Sequence, residues 1–107
     1  MGPIGYADPN YAYNQRLQDY YVERAKGGIG LIITGVTTVN VDVEGIGTPG
    51  LPCVTKNPSA FVHNGNQMNE RIHAYGAKIF LQMTANAGRS TMPGMVKNYI
   101  SPSAQPN

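Results

Sequence analysis

The chain has 107 residues, of which 41% are hydrophobic and 13% charged, and its formal net charge is +2. This length suits one small domain, and the composition excludes both a disordered polymer and a membrane-spanning segment. The net charge is too small to indicate a protein that binds nucleic acid or an anionic surface.

The single cysteine, Cys53, excludes an internal disulfide framework and a metal site made only of cysteines. It lies in a proline-rich loop without adjacent charges, so we expect a bystander thiol rather than a nucleophile. Met1 and Gly2 are followed by turn and polar residues rather than by the apolar core of a secretory leader. We therefore expect a cytoplasmic protein.

Residues 13–36 predict a helix, a glycine break and a strand. Gly27 and Gly28 should end the helix, because glycine adopts the left-handed conformation that helix ends need. Residues 29–33 have no polar alternation, which predicts a strand that is buried on both faces in a parallel sheet covered by helices. The apolar face of the helix is formed by Leu17, Tyr20, Tyr21 and Ala25.

Residues 39–58 connect this unit to the next. The alternating Val39, Val41 and Val43 favour a short strand or an extended arm. The glycines and prolines of residues 45–58 predict a loop.

A second helix–strand unit is predicted at residues 58–83. Asn57 suits the N-cap and Pro58 the first helical position, and Gly76 should end the helix. Residues 77–83 predict a second buried strand, interrupted near its end by Gln82, and residues 84–107 predict a loop. The apolar stripe of the helix is formed by Phe61, Met68, Ile72 and Tyr75.

Two helix–strand repeats predict an α/β fold, either a (β/α)8 barrel or a doubly wound sheet. Both fold types place their sites at the carboxyl ends of the strands, which are residues 34–36 and 82–84 in this chain. A barrel needs about 250 residues. We therefore expect an incomplete barrel, with about strands 2–3, their flanking helices and no first strand, or a chain that depends on a partner.

The chain resembles the flavin oxidoreductases of the old yellow enzyme family in three motifs, DYYVERAKGGIGLIITGVT at residues 19–37, ERIHAYGAKIFLQM at 70–83 and AGRS at 87–90. It looks most similar to the clostridial 2-enoate reductases and NADH:flavin oxidoreductases. The resemblance covers essentially the whole chain in order. It implies that residues 1–107 are the amino-terminal, incomplete part of an FMN-binding TIM-barrel domain.

The family resemblance also implies a reaction. NAD(P)H donates hydride to FMN, and the hydride then passes to the activated C=C bond of a small enoate or enone. Larger members carry FAD and a 4Fe–4S cluster in further domains, which this segment would not bind. The family's substrate-binding and proton-donating residues lie beyond this chain, so we do not expect the segment to be active alone. We expect no nucleic-acid or membrane partner, and homo-oligomerisation stays open.

Several residues match FMN-contacting positions of the family. Met1 and Gly2 match the tail of the turn after the first strand, beneath the flavin. Residues Thr34, Gly35 and Val36 match the end of the second barrel strand, with Val36 nearest the ring. Arg89 matches an arginine of a later strand–loop motif, where a substrate or phosphate contact is implied.

Gln82 matches the third-strand glutamine that binds the pyrimidine end of FMN. A carboxamide offers both a donor and an acceptor, which suits the imide-like edge of a flavin. Considered without the resemblance, the same side chain is more simply expected to bond a neighbouring backbone group.

Two other hypotheses stay open, namely a small non-catalytic α/β binding module that acts as an oligomer, and a nicotinamide-binding half of a doubly wound sheet. Residues 45–50 fit the letters of a GxGxxG fingerprint, but Leu51 and Pro52 follow where a helix should open.

No metal site is expected from the sequence. Residues 40–45 resemble the start of a calcium loop, but its twelfth position is Leu51 rather than a glutamate. His63 and His73 lack the further ligands that zinc needs.

Overall fold

The computed structural model describes residues 7–39 and 51–84. Strand β1 pairs with β3, and β2 pairs with β4, and both pairs are parallel. The predicted order of helix and strand is confirmed. In chain order the elements are α1 (Gln15–Lys26), β1 (Leu31–Ile33), β2 (Thr37–Thr38), α2 (Pro58–Ala74), β3 (Lys78–Phe80) and β4 (Met83–Thr84).

Both helices begin and end at residues suited to those positions. The side chain of Asn14 accepts the N–H of Leu17, and that of Asn57 accepts the N–H of Ala60, so each helix has an N-cap. After the helices, Gly28 has φ 101° and Gly76 has φ 80°. These left-handed conformations turn the chain into the following strand, as predicted for Gly28, whereas Gly27, for which the same conformation was predicted, is right-handed with φ -73°.

The core lies between the two helices and one face of the β1–β3 pair. Ile32 and Ile79, which are paired across the strands, point towards the helices. The two helices are joined at their surface by an ion pair between Arg71 and Asp19, at 2.8 Å. The buried cluster is formed by Tyr13, Leu17, Tyr21, Val22, Ala25, Ile32, Met68, Ile72 and Ala77.

Three predicted helix positions differ from the structure. Tyr20 is 39% exposed, because its ring lies on the surface 3.4 Å from the guanidinium carbon of Arg24. Tyr75 is also exposed, since it follows the last turn of α2. Gln18, which is not among the residues of the predicted apolar face, is buried, and its amide donates to the carbonyl of Tyr13.

The opposite face of the β1–β3 pair is open in the described part of the chain. Leu31 is 47% exposed, and Ile33 and Phe80 are each 61% exposed. Burial on both faces was predicted, but the two described helices cover only the face that carries Ile32. The apolar side chains of the other face therefore meet solvent.

The connecting segment contributes to the second ladder. Thr38 of β2 forms an isolated parallel bridge with Cys53, which belongs to the segment predicted as a loop. The Cys53 side chain is fully buried, and no disulfide partner is present in the chain. Val41 and Val43 lie outside the described residues.

Neither of the two described helices combines the length and apolarity that crossing a bilayer requires.

Candidate flavin site at the strand ends

The carboxyl ends of β1 and β3 lie side by side, because the two strands are parallel and paired in register. They line an open depression of about 640 Å³. We call the surface formed by residues 33–36 and 80–83 the strand-end site. The residues that line the depression are Ile33, Thr34, Phe80, Leu81, Gln82 and Met83.

The strand pairing is irregular at the strand-end site, where the β1–β3 sheet gives way to the separate two-stranded β2–β4 sheet, and we call residues 34–36 and 81–82 the bulge. Ile33 lies opposite Phe80, whereas Thr37 lies opposite Met83. Three residues, 34–36, therefore oppose two, 81–82. An extra residue of this kind bends the strand and leaves backbone groups without a ladder partner, and bulges recur at barrel rims and beside active sites. The predicted single strand at residues 77–83 is accordingly divided into β3 and β4.

Side-chain hydroxyls satisfy two of the backbone groups at the bulge. The N–H of Gln82 donates to Oγ1 of Thr34 at 2.9 Å. The N–H of Gly35 donates to Oη of Tyr21, from helix α1, at 2.6 Å. Buried backbone donors need such partners, because an unpaired one costs about 1–3 kcal/mol.

Hydrogen bonds between backbone groups also connect residues 34–37 to residues 80–82. The N–H of Thr34 donates to the carbonyl of Phe80 at 2.9 Å, and the N–H of Thr37 donates to the carbonyl of Gln82 at 3.0 Å. Both backbone groups of Gln82 are therefore bonded to residues of the facing segment, so its main chain has a defined position.

A buried pair of hydroxyls lies beneath the bulge. Tyr13 Oη and Thr37 Oγ1 share a hydrogen bond of 3.0 Å. Burial raises the pKa of Tyr13 above its ordinary value, and hydrogen bonds from Thr37 and Thr34 offset this only in part. Burial likewise raises the pKa of Tyr21, against the opposing effect of its bond to Gly35. Both phenols are therefore neutral near pH 7.

The side chain of Gln82 is exposed and makes no hydrogen bond within residues 7–39 and 51–84. Among the described residues, the simpler expectation that this carboxamide bonds a neighbouring backbone group is not met. Apolar side chains surround it, since Ile33 and Phe80 are 61% exposed and Met83 is 59% exposed. An apolar surface with a free donor–acceptor pair suits a flat heteroaromatic ligand.

The structure brings four of the predicted site residues together. Thr34 and Gln82 line the depression, and Gly35 and Val36 follow Thr34 in the bulge. The Thr34 hydroxyl, however, is bonded to the Gln82 main chain, and the residue is only 3% exposed. Val36 is 39% exposed. The remaining predicted positions, Met1, Gly2 and Arg89, lie outside the described residues.

The sequence analysis did not find the role of Tyr21, which it assigned to packing. The sequence signal that could have revealed this bond is the hydroxyl of Tyr21. A buried tyrosine needs a hydrogen-bond partner, whereas a buried phenylalanine does not.

None of the lining residues in the described ranges is ionisable, so this part of the site can bind and orient a ligand but not transfer protons. Residues 7–39 and 51–84 contain no group of three potential metal ligands.

Comparison with known proteins identifies the family to which this chain belongs. The chain matches the sequence profile of the NADH:flavin oxidoreductase / NADH oxidase family over residues 4–106. This chain belongs to that family.

Two relatives match most or all of the chain. It is 50% identical over 108 residues to a cinnamate reductase of Clostridium sporogenes, a match that covers 100% of this chain and 16% of the relative. It is 37% identical over 103 residues to an NADH oxidase of Thermoanaerobacter brockii, covering 94% of this chain and 15% of the relative. The chain thus spans about one sixth of the length of these proteins.

Proposed function

We propose that this chain supplies part of the FMN site of an NAD(P)H-dependent ene-reductase with a (β/α)8 barrel. The observation that carries the proposal is the exposed carboxamide of Gln82, which bonds none of residues 7–39 and 51–84 and whose main chain is fixed by hydrogen bonds beside Gly35 and Val36. In this proposal Gln82 binds the pyrimidine edge of FMN, and the bulge residues lie against its ring. Bound at this site, FMN would supply the hydride-transfer chemistry between the nicotinamide and the substrate.

The open face of the β1–β3 pair supports the barrel. In a (β/α)8 barrel, one face of every strand packs on helices and the other fills the interior with branched and bulky side chains. Ile32 faces the helices, and Leu31, Ile33 and Phe80 form the opposite, open face. Residues 1–107 would then supply barrel strands two and three and their flanking helices. The remaining strands would cover the open face.

The substrate class follows from the relatives. One relative is a cinnamate reductase, and cinnamate is a small enoate whose C=C bond is activated by a carboxylate. We propose a small enoate or enone as the substrate of the protein that carries this chain. The described part of the site would contribute FMN binding, and the proton donor would come from outside it.

The test is a hybrid enzyme, in which this chain replaces the matching residues of the C. sporogenes cinnamate reductase. We expect the hybrid to bind FMN, and Gln82→Leu to weaken binding about tenfold, since a carboxamide that makes two hydrogen bonds is lost. Gln67→Leu is the matched control, because Gln67 is exposed on α2. FMN affinity is measured by quenching of flavin fluorescence.

The proposal fails if the hybrid binds no FMN, or if Gln82→Leu and Gln67→Leu bind it equally. An FMN-loaded hybrid should also consume cinnamate with NADH, which is followed by the loss of cinnamate absorbance. Loss of that reaction in a hybrid that retains FMN would contradict the proposal that this chain holds FMN in the position that the reaction needs.

A second candidate is a binding module whose open strand face is covered by another copy of the chain. The exposed Leu31, Ile33 and Phe80 favour this candidate, since a patch of this kind is usually covered in the working protein. Sedimentation of the isolated chain separates the two. A stable dimer that binds no FMN supports the module, and no dimer contradicts it. A tight, stoichiometric FMN complex of the isolated chain would contradict the need for further barrel strands.

A further inference from the structure

We propose that Tyr21 and Thr34 are positioning residues for the flavin contacts, and that neither hydroxyl touches FMN itself. This inference rests on the proposed function. It assigns to Tyr21 a role beyond packing, and it moves Thr34 from an expected cofactor contact to a support of Gln82.

The first step is the unusual hydrogen bonding at the bulge. In a regular parallel ladder, backbone N–H groups donate to backbone carbonyls of the neighbouring strand. At the bulge the N–H of Gly35 donates instead to Tyr21 Oη, and the N–H of Gln82 donates to Thr34 Oγ1. Two side-chain hydroxyls thus accept backbone N–H groups that no backbone carbonyl of the described residues accepts.

The second step is that both hydroxyls have fixed positions. Tyr21 is 4% exposed in the packed core between α1 and the sheet, and Thr34 is 3% exposed. The Thr34 main chain is itself held, since its N–H donates to the carbonyl of Phe80. Neither hydroxyl can move far without disturbing the core, so each fixes the backbone group that it accepts.

The third step links this geometry to the ligand. The main chain of Gln82 is held through Thr34 and Thr37, so only its side-chain torsions remain to be ordered when FMN binds. The hydrogen bond from the Gly35 N–H to Tyr21 likewise fixes the main chain of Gly35, so the backbone of the bulge does not have to be ordered when FMN binds. Pre-organisation of this kind increases affinity by lowering the entropy lost on binding.

The variants remove one hydroxyl at a time. Tyr21→Phe keeps the buried ring and removes the acceptor of Gly35. Tyr20→Phe is its matched control, because Tyr20 is the neighbouring residue, is 39% exposed, and its hydroxyl makes no hydrogen bond to the described residues. Thr34→Val removes the acceptor of Gln82 with little change in shape, and Thr34→Ser restores it.

Each variant is made in the hybrid enzyme, and FMN affinity is measured well below every melting temperature, together with the absorption spectrum of the bound flavin. We expect Tyr21→Phe and Thr34→Val to bind FMN about five- to tenfold more weakly, with a shifted flavin absorption band. Tyr20→Phe and Thr34→Ser should retain the affinity and spectrum of the parent. A purely structural role would lower the melting temperature and leave both readouts unchanged.

The outcomes separate this inference from the proposed function. If Gln82→Leu weakens FMN binding while Tyr21→Phe and Thr34→Val stay within about twofold of the parent, the positioning role is overturned and the flavin site stands. If the parent hybrid binds no FMN, both are overturned. Should Tyr21→Phe fail to fold, the comparison of Thr34→Val with Thr34→Ser decides the question.

Discussion

The phenol oxygen of Tyr13 lies 3.0 Å from the hydroxyl oxygen of Thr37, and both residues are almost fully buried. Tyr13 precedes α1, and Thr37 begins β2 directly after the bulge. The bond therefore ties the amino-terminal side of the helix to the strand-end site. The carbonyl of Tyr13 also accepts the amide of Asn64 from α2, at 2.9 Å. Tyr13 thus connects both helices to the base of the site.

Removing the Tyr13 hydroxyl should destabilise the fold. Tyr13→Phe leaves the buried Thr37 hydroxyl without this partner, and we expect the free energy of unfolding to fall by about 1–3 kcal/mol. Urea titration of the hybrid enzyme measures the loss. Tyr75→Phe is the control, because Tyr75 is 53% exposed and should change little. Equal stability of the two variants would show that the buried bond contributes nothing.

Alkaline pH should destabilise the fold through the two buried phenols. Burial raises the pKa of Tyr13 and of Tyr21 above the unfolded value of about 10. Above that value the unfolded chain releases these protons first, so stability is complete below about pH 10 and decreases as the pH rises towards the folded pKa values. Urea titrations from about pH 8 to 11.5 should show this decrease. In the hybrid that carries both Tyr13→Phe and Tyr21→Phe, the free energy of unfolding should decrease less steeply with pH. An equally steep decrease would show that the two phenols do not cause it.

Acid should weaken the surface connection between the helices. Hydrogen bonds from Arg71 and Gln15 hold the pKa of Asp19 below its usual range. Its stabilising effect is therefore present above the unfolded value of about 3.9 and is lost as the pH falls through the folded pKa. The effect should be small and salt-sensitive, because Asp19 and Arg71 are both well exposed.

The matched variants are Asp19→Asn and Glu70→Gln, since Glu70 is exposed on α2 and forms no ion pair within the described residues. At neutral pH and low salt, Asp19→Asn should be the less stable of the two. The difference should shrink as the pH falls below about 3.9, and also at about 1 M salt. A difference that persists at low pH would mean that the carboxylate charge is not its cause.

Glycine substitutions should change the stability in opposite directions within α2 and just after its end. Gly76→Ala places a side chain at φ 80°, which should cost about 1–2 kcal/mol. Gly65 lies within the helix and an added Cβ meets no atom within 4 Å, so Gly65→Ala should stabilise the fold by about 0.5–1 kcal/mol. Melting curves of the two hybrids provide the comparison. Stabilisation by Gly76→Ala would contradict the left-handed conformation.

Local sequence signals predicted the helices well. Asn57 caps α2, and Gly28 and Gly76 follow the helix ends, as predicted, because capping and left-handed turns depend on a few neighbouring residues; the cap of α1, Asn14, was not predicted. The predicted apolar faces of the helices were less accurate at their edges. Tyr20 was assigned to the core by its spacing, although its ring lies on the surface beside Arg24.

The amino-acid order by itself determined the helix and strand sequence, the family, and the position of Gln82 at a strand end. Those properties depend on residues that are near one another along the chain or on motifs that can be matched letter by letter. Only the tertiary structure decided that residues 34–36 bulge against residues 81–82, and that the Gly35 N–H bonds Tyr21. Thr34 and Gln82 are 48 positions apart, so their bond depends on how two distant segments come into register, and short-range patterns carry no information on that register.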